Sequence, residues 1–415
     1  MQKQEVRSPQ SANLAAFWTF LIVVAVLLIV AILNAPTKGG PQVMESLSTY
    51  LNEVRKSALP FILVIGIGAV IIGILAGRVV RREWVDRKRR GDLLIGFLFL
   101  LPYLFVTLTF VLGVLLFALY ISFTQYDIFT SPKWVGLQNY ALAFRGLTDP
   151  VRKDFIQGLY NVFWYALIVV PVQTALAIAL AVLLNAPMRF KQLFRTIFYA
   201  PSVTSSVVIT LIFIWFYLKT GYLNFGIAKV LGVFGIPWEN INWLGDPRGL
   251  FQLIAEPMGL RIPSEQWYLR GPSIAWMAIM FQNIFTTAPT FMIMFLAALQ
   301  DVNPALYEAA SIDGASGWQQ FSKITLPLLR PIILLVTVLG TIGSLQVFDQ
   351  VYLATQGGPL GTSQTPVYLI FSEALGKLGP IHMGYAAAMA FILAAIIFII
   401  TYFQRRLLER GTQSY

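Results

Sequence analysis

The chain has 415 residues, of which 57% are hydrophobic and 12% charged, with a net charge of +11 and no cysteine. Its mean hydropathy is +0.70. A soluble domain carries about 25% charged residues, so an ordinary soluble enzyme, a disordered chain and a free nucleic-acid binder are excluded, and without cysteine there is no disulfide framework, thiol nucleophile or cysteine metal site.

Eight apolar runs are long enough to cross a bilayer as helices. They cover roughly 14–33, 59–80, 93–123, 159–184, 197–218, 274–299, 332–353 and 383–403. The expected fold class is therefore an all-α polytopic membrane protein with eight transmembrane helices. The first run is too long for a signal-peptide core, and Ala35-Pro36-Thr37 is a poor cleavage site, so it is read as a span. Positive charge is concentrated in Arg78, Arg81, Arg82, Arg87, Lys88, Arg89 and Arg90, then in Arg189, Lys191 and Arg195, then in Arg405, Arg406 and Arg410. These short segments fall on one side if both termini are cytoplasmic, which is the expected topology. The run at 78–90 reads as a topology signal touching anionic membrane lipid, with no nucleic acid expected as a partner.

On the opposite side, 125–155 and 220–272 are rich in Trp, Tyr, Pro and Gly. Both are expected to fold. Trp238, Trp243 and Trp267 suit either interfacial anchoring or a small extracytoplasmic cap built from 220–272, and the cap is the preferred reading.

Ion-coupled carriers place ionisable groups inside the bilayer. Here the runs are almost free of them, Asp349 being the clear exception. His382, the one histidine, sits at a loop edge and reads as solvated or interfacial. No catalytic pair and no metal-ligand cluster is seen in the spans, and no G-x-x-x-x-G-K-[ST] phosphate loop is present. If the chain is part of a pump, the energy must come from another polypeptide.

The sixth run contains Gln282, Asn283, Thr286, Thr287 and Thr290 around Pro289. The seventh contains Thr337, Thr341, Ser344, Gln346, Asp349 and Gln350. Helix–helix hydrogen bonding accounts for part of this polarity. Asn283, Thr286, Thr287 and Thr290 are also spaced to share a helix face, with Trp276, Phe281, Phe285 and Phe348 nearby. Donors and acceptors beside rings suit a neutral, hydroxyl-rich solute.

Between these runs, 301–331 reads as two short helices joined by a turn. Asn303 can cap the first, with Pro304 at its first position. Asp313-Gly314 is the break. Ser316 and Gln319 have capping-box spacing for the second, and Trp318, Phe321, Ile324 and Thr325 share a face. Pro327 and Pro331 are expected to end the unit. A rigid hairpin of this kind can seat in a partner's groove.

Glu308-Ala309-Ala310, then Asp313-Gly314-Ala315, with Pro327 beyond, resembles the EAA loop of binding-protein-dependent ABC importer permeases. Val135-Gly136-Leu137-Gln138-Asn139-Tyr140, Gly221-Tyr222-Leu223-Asn224 with Trp243-Leu244, and Phe348-Asp349 before Thr355-Gln356-Gly357-Gly358-Pro359 resemble the sugar-importer branch. The resemblance covers roughly 93–415. It implies a six-helix permease core there, preceded by a region 1–92 with two extra helices and the basic loop, as in the large permease subunit of maltose-type transporters. The large insertion of that subunit is replaced here by about thirty residues.

The resemblance further implies a heterodimer with a second permease subunit and two copies of an ABC ATPase that carry ATP and Mg. It also implies a sugar-binding protein outside, and a prokaryotic cytoplasmic membrane. Pro304 to Ile312 would be the coupling helix, with Glu308, Ala309, Ala310, Asp313, Gly314 and Ala315 meeting the ATPase. Glu308 also reads as a plain solvated carboxylate. Asn283, Thr287, Thr290, Gly343 and Gln346 fall at positions equivalent to sugar contacts. Thr286, Ser344 and Asp349 complete the candidate solute set, Asp349 reading equally as structural. The alternatives are a permease for another small polar solute such as glycerol phosphate, an ion-coupled secondary carrier, and a membrane scaffold without transport. The first predicts more charge facing the pathway, the second intramembrane carboxylates, and the third no ATPase partner.

Overall fold

A computed structural model describes residues 99–409 other than 101–102, 105, 148–153, 188, 264–265 and 378. These all belong to the unit Lys88–Tyr415. The runs expected at 14–33 and 59–80, the basic loop at 78–90 and the boundary after residue 92 lie outside the described residues.

A π-helical stretch, Thr107–Gly113, leads into α1, Val114–Ser122. A two-residue ladder follows, β1 (Thr124–Gln125) antiparallel to β2 (Lys133–Trp134). This ladder departs from the all-helical expectation. It is closed by Asn139, whose side-chain N–H groups donate to the carbonyls of Ser122 and Thr124 at 2.9 and 2.8 Å, and by Trp134 stacked on Phe123. Helix α2 is Gln138–Phe144.

Helix α3, Asp154–Asn185, has 32 residues, so it is about 48 Å long and spans a bilayer with length to spare. Val162, Tyr165, Val169, Gln173, Ala177, Ala181 and Leu184 are buried at helical spacing, while Phe163, Leu167, Leu176 and Leu183 are exposed. A helix apolar on both its packed and its open face belongs in lipid.

The run expected as one span at 197–218 is two helices. They are α4 (Lys191–Val203) and α5 (Ser206–Tyr217), set at 94° to each other. Pro201 lacks the N–H that would continue α4. The hydroxyls of Ser202 and Thr204 then take the carbonyls of Tyr199 and Ala200 at 2.8 and 2.9 Å, and Thr204 turns extended. Side-chain capping of this kind competes with the helix and ends it.

Segment 220–272 contains α6 (Tyr222–Val233) and α7 (Leu250–Ala255). Asn224 organises it. Its amide donates to the carbonyls of Leu218, Lys219 and Ile241. Its oxygen accepts from both Trp238 and Trp243 Nε1 and from the Ile241 N–H, each at 3.2 Å. Trp238 and Trp243 thus build the cap, and Trp267 packs edge-on against Tyr160.

Helix α8, Ile274–Gln300, packs along α3 and leads into the hairpin α9 (Ala305–Ile312), α10 (Gly317–Gln320), a π stretch Phe321–Thr325 and α11 (Leu326–Leu328). Pro327 does not stop this run; it sits inside α11, in helical geometry after the π stretch. Helix α12, Arg330–Leu345, follows with Pro331 in its first turn. The seventh expected run is broken after Leu345 and resumes as α13, Asp349–Ala354. The break has a cause outside its own sequence: Thr365 Oγ1 takes the carbonyl of Val347 at 3.1 Å. Helices α14 (Pro366–Ala374) and α15 (Met383–Glu409) complete the bundle. Among the described residues, four helical segments, at 154–185, 274–300, 330–354 (which includes the break at 346–348) and 383–406, are long and apolar enough to cross a membrane, or five spans if the bent pair is one.

Besides a cluster of Ala143, Phe155, Leu369, Met389 and Ile392, the core lies in two layers. One joins Tyr165, Val169, Trp276, Ile279, Leu345 and Leu393. The other, at the hairpin end, joins Ala181, Leu184, Met292, Phe295, Leu299 and Leu329. Between them in chain order lie the polar residues of α3 and α8.

Candidate functional site: the projecting hairpin and the broken span

The hairpin is built from local signals that agree. Asn303 Oδ1 accepts the N–H of Ala305 at 3.0 Å. Helix α9 ends with Gly314 N–H on the Ser311 carbonyl at 3.1 Å and Ala315 N–H on the Ala310 carbonyl at 2.9 Å. This double closure is a Schellman cap, and it places Gly314 at φ +77°, where a side chain is strained. The spacing of Ala310 to Gly314 and Ala315 is therefore the geometry of a helix stop. Ser316 and Gln319 form a reciprocal capping box at the start of α10. The two arms are then tied across: Tyr307 Oη and Thr325 Oγ1 lie 3.0 Å apart, and Gln320 Nε2 donates to Ser311 Oγ at 2.9 Å.

Glu308 is exposed in the first turn of α9, as are Ala309 and Asp313, while Ala310 and Ala315 are half-buried. Ile312 is 87% exposed and Trp318, its ring tilted against that of Phe321 at 5.5 Å, is 73% exposed. Large apolar side chains on a stiff, open projection mark an interaction surface.

The hairpin leads without a long linker into α8 and α12. At the far end of α12, Asn283 of α8 and Gly343, Gln346, Val347, Phe348, Asp349 and Gln350 line an open cleft of about 240 Å³. The break between α12 and α13 forms one wall. Four of the sequence-predicted solute residues meet here: Asn283, Gly343, Gln346 and Asp349. The others lie elsewhere. Thr286 Oγ1 donates to the Asn283 carbonyl at 2.9 Å. Thr287 Oγ1 donates to Gln173 Oε1 on α3 at 2.6 Å. Ser344 is buried and Thr290 is exposed outside the cleft. Gln282 Nε2 donates to Thr210 Oγ1 at 2.7 Å and serves helix packing.

Sequence reading missed Gln173. A buried glutamine two residues after Pro171 in an apolar run was the available signal. Sequence reading named Phe348 but missed its partners behind the cleft, where Phe348 stacks on Tyr352 at 5.5 Å and Phe371 meets both. Lys377 Nζ lies 4.1 Å over the Tyr352 ring and donates to its hydroxyl at 2.7 Å.

A second, larger cavity of about 800 Å³ lies between the β1–β2 ladder, α2 and the ends of α3, α14 and α15, lined in part by Gln125, Asp127, Asn139, Glu373 and Tyr385. Hydrogen bonds from the Thr130 hydroxyl and N–H hold the Asp127 carboxyl below the usual carboxylate range. On its rim, His382 Nδ1 meets Glu373 Oε2 at 2.8 Å, tying the start of α15 to α14.

Comparison with known proteins gives the setting for this geometry. Residues 173–413 match the family described as binding-protein-dependent transport system inner membrane component. The chain is 33% identical over 319 residues to the probable ABC transporter permease protein YesP of Bacillus subtilis (strain 168), covering 76% of this chain and 91% of that protein. It is 32% identical over 259 residues to the lactose transport system permease protein LacF of Rhizobium radiobacter, covering 62% and 76%. Its fold superposes with a TM-score of 0.61 and 22% identity on a bacterial ABC transporter involved in the import of the acidic polysaccharide alginate, covering 80% of this chain and all of that one. With a stiff projecting hairpin, helices that suit a bilayer and relatives that are permease proteins, the chain belongs to the family of binding-protein-dependent transport system inner membrane components.

Proposed function

We propose that the chain is one permease subunit of an ATP-driven importer for a neutral sugar, in the disaccharide to oligosaccharide range. It pairs with a second permease subunit. Two copies of an ABC ATPase, which carry the ATP and Mg, bind on the cytoplasmic side, and a sugar-binding protein delivers solute outside. The membrane is a prokaryotic cytoplasmic membrane with both termini inside. Glu308 and Asp313 offer charge to the ATPase, Ile312 and Trp318 offer apolar contact, and the Ala310–Gly314–Ala315 stop holds the shape.

One observation carries this reading. The tied hairpin is continuous with α8, which carries Asn283, and with α12, which ends at Gln346, and both residues line the cleft. A displacement of the hairpin by ATP-bound partners therefore reaches both walls of the cleft. ATP shifts the population of the outward-open state because the ATPase dimer closes only with ATP bound. The neutral-sugar assignment rests on the amides of Asn283 and Gln346 beside the Phe348 ring, and on the lactose permease among the relatives.

Two variants test it in the reconstituted complex. Glu308→Lys leaves assembly intact and lowers sugar-stimulated ATP hydrolysis and uptake; uptake at the original rate refutes the coupling role. Asn283→Ala and Gln346→Ala each raise the half-saturating sugar concentration about fivefold, for roughly 1 kcal/mol per hydrogen bond lost. Unchanged concentration dependence in both moves the pocket elsewhere.

A further inference from the structure

Helix α6 has a face that nothing among the described residues covers. Among its residues Asn224 alone is fully buried. Leu223, Ile227, Ala228 and Leu231 are half-buried. The opposite side presents Tyr222, Phe225, Lys229 and Val233 at helical spacing, with Phe225 67% and Val233 80% exposed. Phe234 and Ile236 extend this surface past the helix end. Twelve residues make about 18 Å of helix, too short to cross a hydrocarbon core of about 30 Å.

Its position is set by α5. Tyr217 at the end of α5 donates its hydroxyl to the Ala278 carbonyl at 2.8 Å, at the start of α8 and far along that helix from the coupling hairpin. The chain then turns within Lys219-Thr220-Gly221. Gly221 is required there, since a Cβ would come within 2.9 Å of the carbonyls of Trp215, Phe216 and Leu218. Asn224 locks the turn. The open apolar surface of α5, which includes Trp215 and Phe216, continues onto α6 through the contact of the Phe216 and Tyr222 rings at 5.7 Å. Residues 219–237 contain Lys219 and Lys229 and no Asp or Glu.

From this we propose that α6 is an interfacial helix that lies in the lipid headgroup region at the end of the bundle opposite the hairpin and binds an anionic bilayer surface. Phe225 and Val233 enter the acyl boundary, and Lys219 and Lys229 reach phosphates with their stems along the apolar face. Continuity with the lipid-facing side of α5 and the all-cationic charge select lipid as the occupant. The assignment is independent of which solute is carried.

The absence of native cysteine allows a direct test in the full chain. Phe225→Cys, Val233→Cys and, on the inner face, Ala228→Cys carry nitroxide labels in the complex purified with its subunits and reconstituted in phosphatidylethanolamine–phosphatidylglycerol vesicles. Collisions with oxygen are expected to exceed collisions with a neutral nickel chelate severalfold at 225 and 233, at a depth of about 5–10 Å, and to be weak for both reagents at 228. Replacing phosphatidylglycerol by phosphatidylcholine, or Lys229→Gln, is expected to make the two outer positions shallower. Greater collision with the chelate at 225 and 233 overturns the proposal by placing the face in water. Protection from both reagents there overturns it by placing a protein on the face. If either label prevents assembly, Tyr222→Cys reports from the same face.

Discussion

Gly314→Ala isolates the shape of the hairpin, proposed to couple to the ATPase, from its chemistry. No atom lies within 4 Å of the Cβ that alanine would add, so there is no clash to relieve. What remains is backbone strain at φ +77°. Holding an L-residue in the left-handed region costs roughly 1–2 kcal/mol. That strain falls on the two closing hydrogen bonds, Gly314 N–H to Ser311 and Ala315 N–H to Ala310. A loss of this size changes the closed-to-open ratio of the cap by a factor of roughly 5 to 30. Hydrogen exchange of the assembled complex measures it: exchange in the peptide covering 310–316 accelerates by that factor, while peptides from α3 and α8 keep their protection. Sugar-stimulated ATP hydrolysis falls in parallel. Gly314→Asn recovers much of the loss, because asparagine tolerates the left-handed region better than alanine. Equal exchange in wild type and Gly314→Ala, or an asparagine variant as impaired as the alanine one, refutes the assignment of a strained cap.

Asn224→Ala strips partners from two tryptophan N–H groups and three carbonyls in the cap. These groups are partly buried, so each loses a hydrogen bond worth about 1 kcal/mol, and 234–249 becomes cleavable by protease in the assembled complex; resistance equal to wild type refutes the organising role. Thr287→Val leaves Gln173 Oε1, on a side chain 1% exposed, without its 2.6 Å donor. It is expected to lower the unfolding midpoint of the complex and leave the half-saturating sugar concentration in place. The opposite pattern would make Thr287 a solute contact.

The hairpin was legible because its signals are local. Asn303, Gly314 and the Ser316–Gln319 pair each act on neighbours within a few residues, and the structure uses each in that way, while Pro304 stands at the N-cap of α9 and not at its first position. The spans at 154–185, 274–300 and 383–406 were legible from length and hydropathy, which a bilayer enforces. The break at 346–348 was not, because its stabilising partner, Thr365, comes from a distant loop. Nor was the bend between α4 and α5, where hydropathy runs on through Pro201 and only the hydroxyls of Ser202 and Thr204 reveal where the backbone stops.

Composition and local pattern determined that this chain lives in a membrane, that it carries almost no ionisable group there, and that it projects one stiff hairpin. These follow from solvent preference and from dihedral chemistry, which depend on residue type and near neighbours. Which polar residues share a cleft was decided by the tertiary structure alone. Helical spacing placed Asn283, Thr286, Thr287 and Thr290 together. Packing turned Thr287 toward Gln173, kept Thr286 on its own helix and left Thr290 outside, so that Asn283 and Gln346 line one cleft beside a helix break. A hydroxyl inside a bundle goes to the nearest acceptor, and only the fold says which acceptor is near.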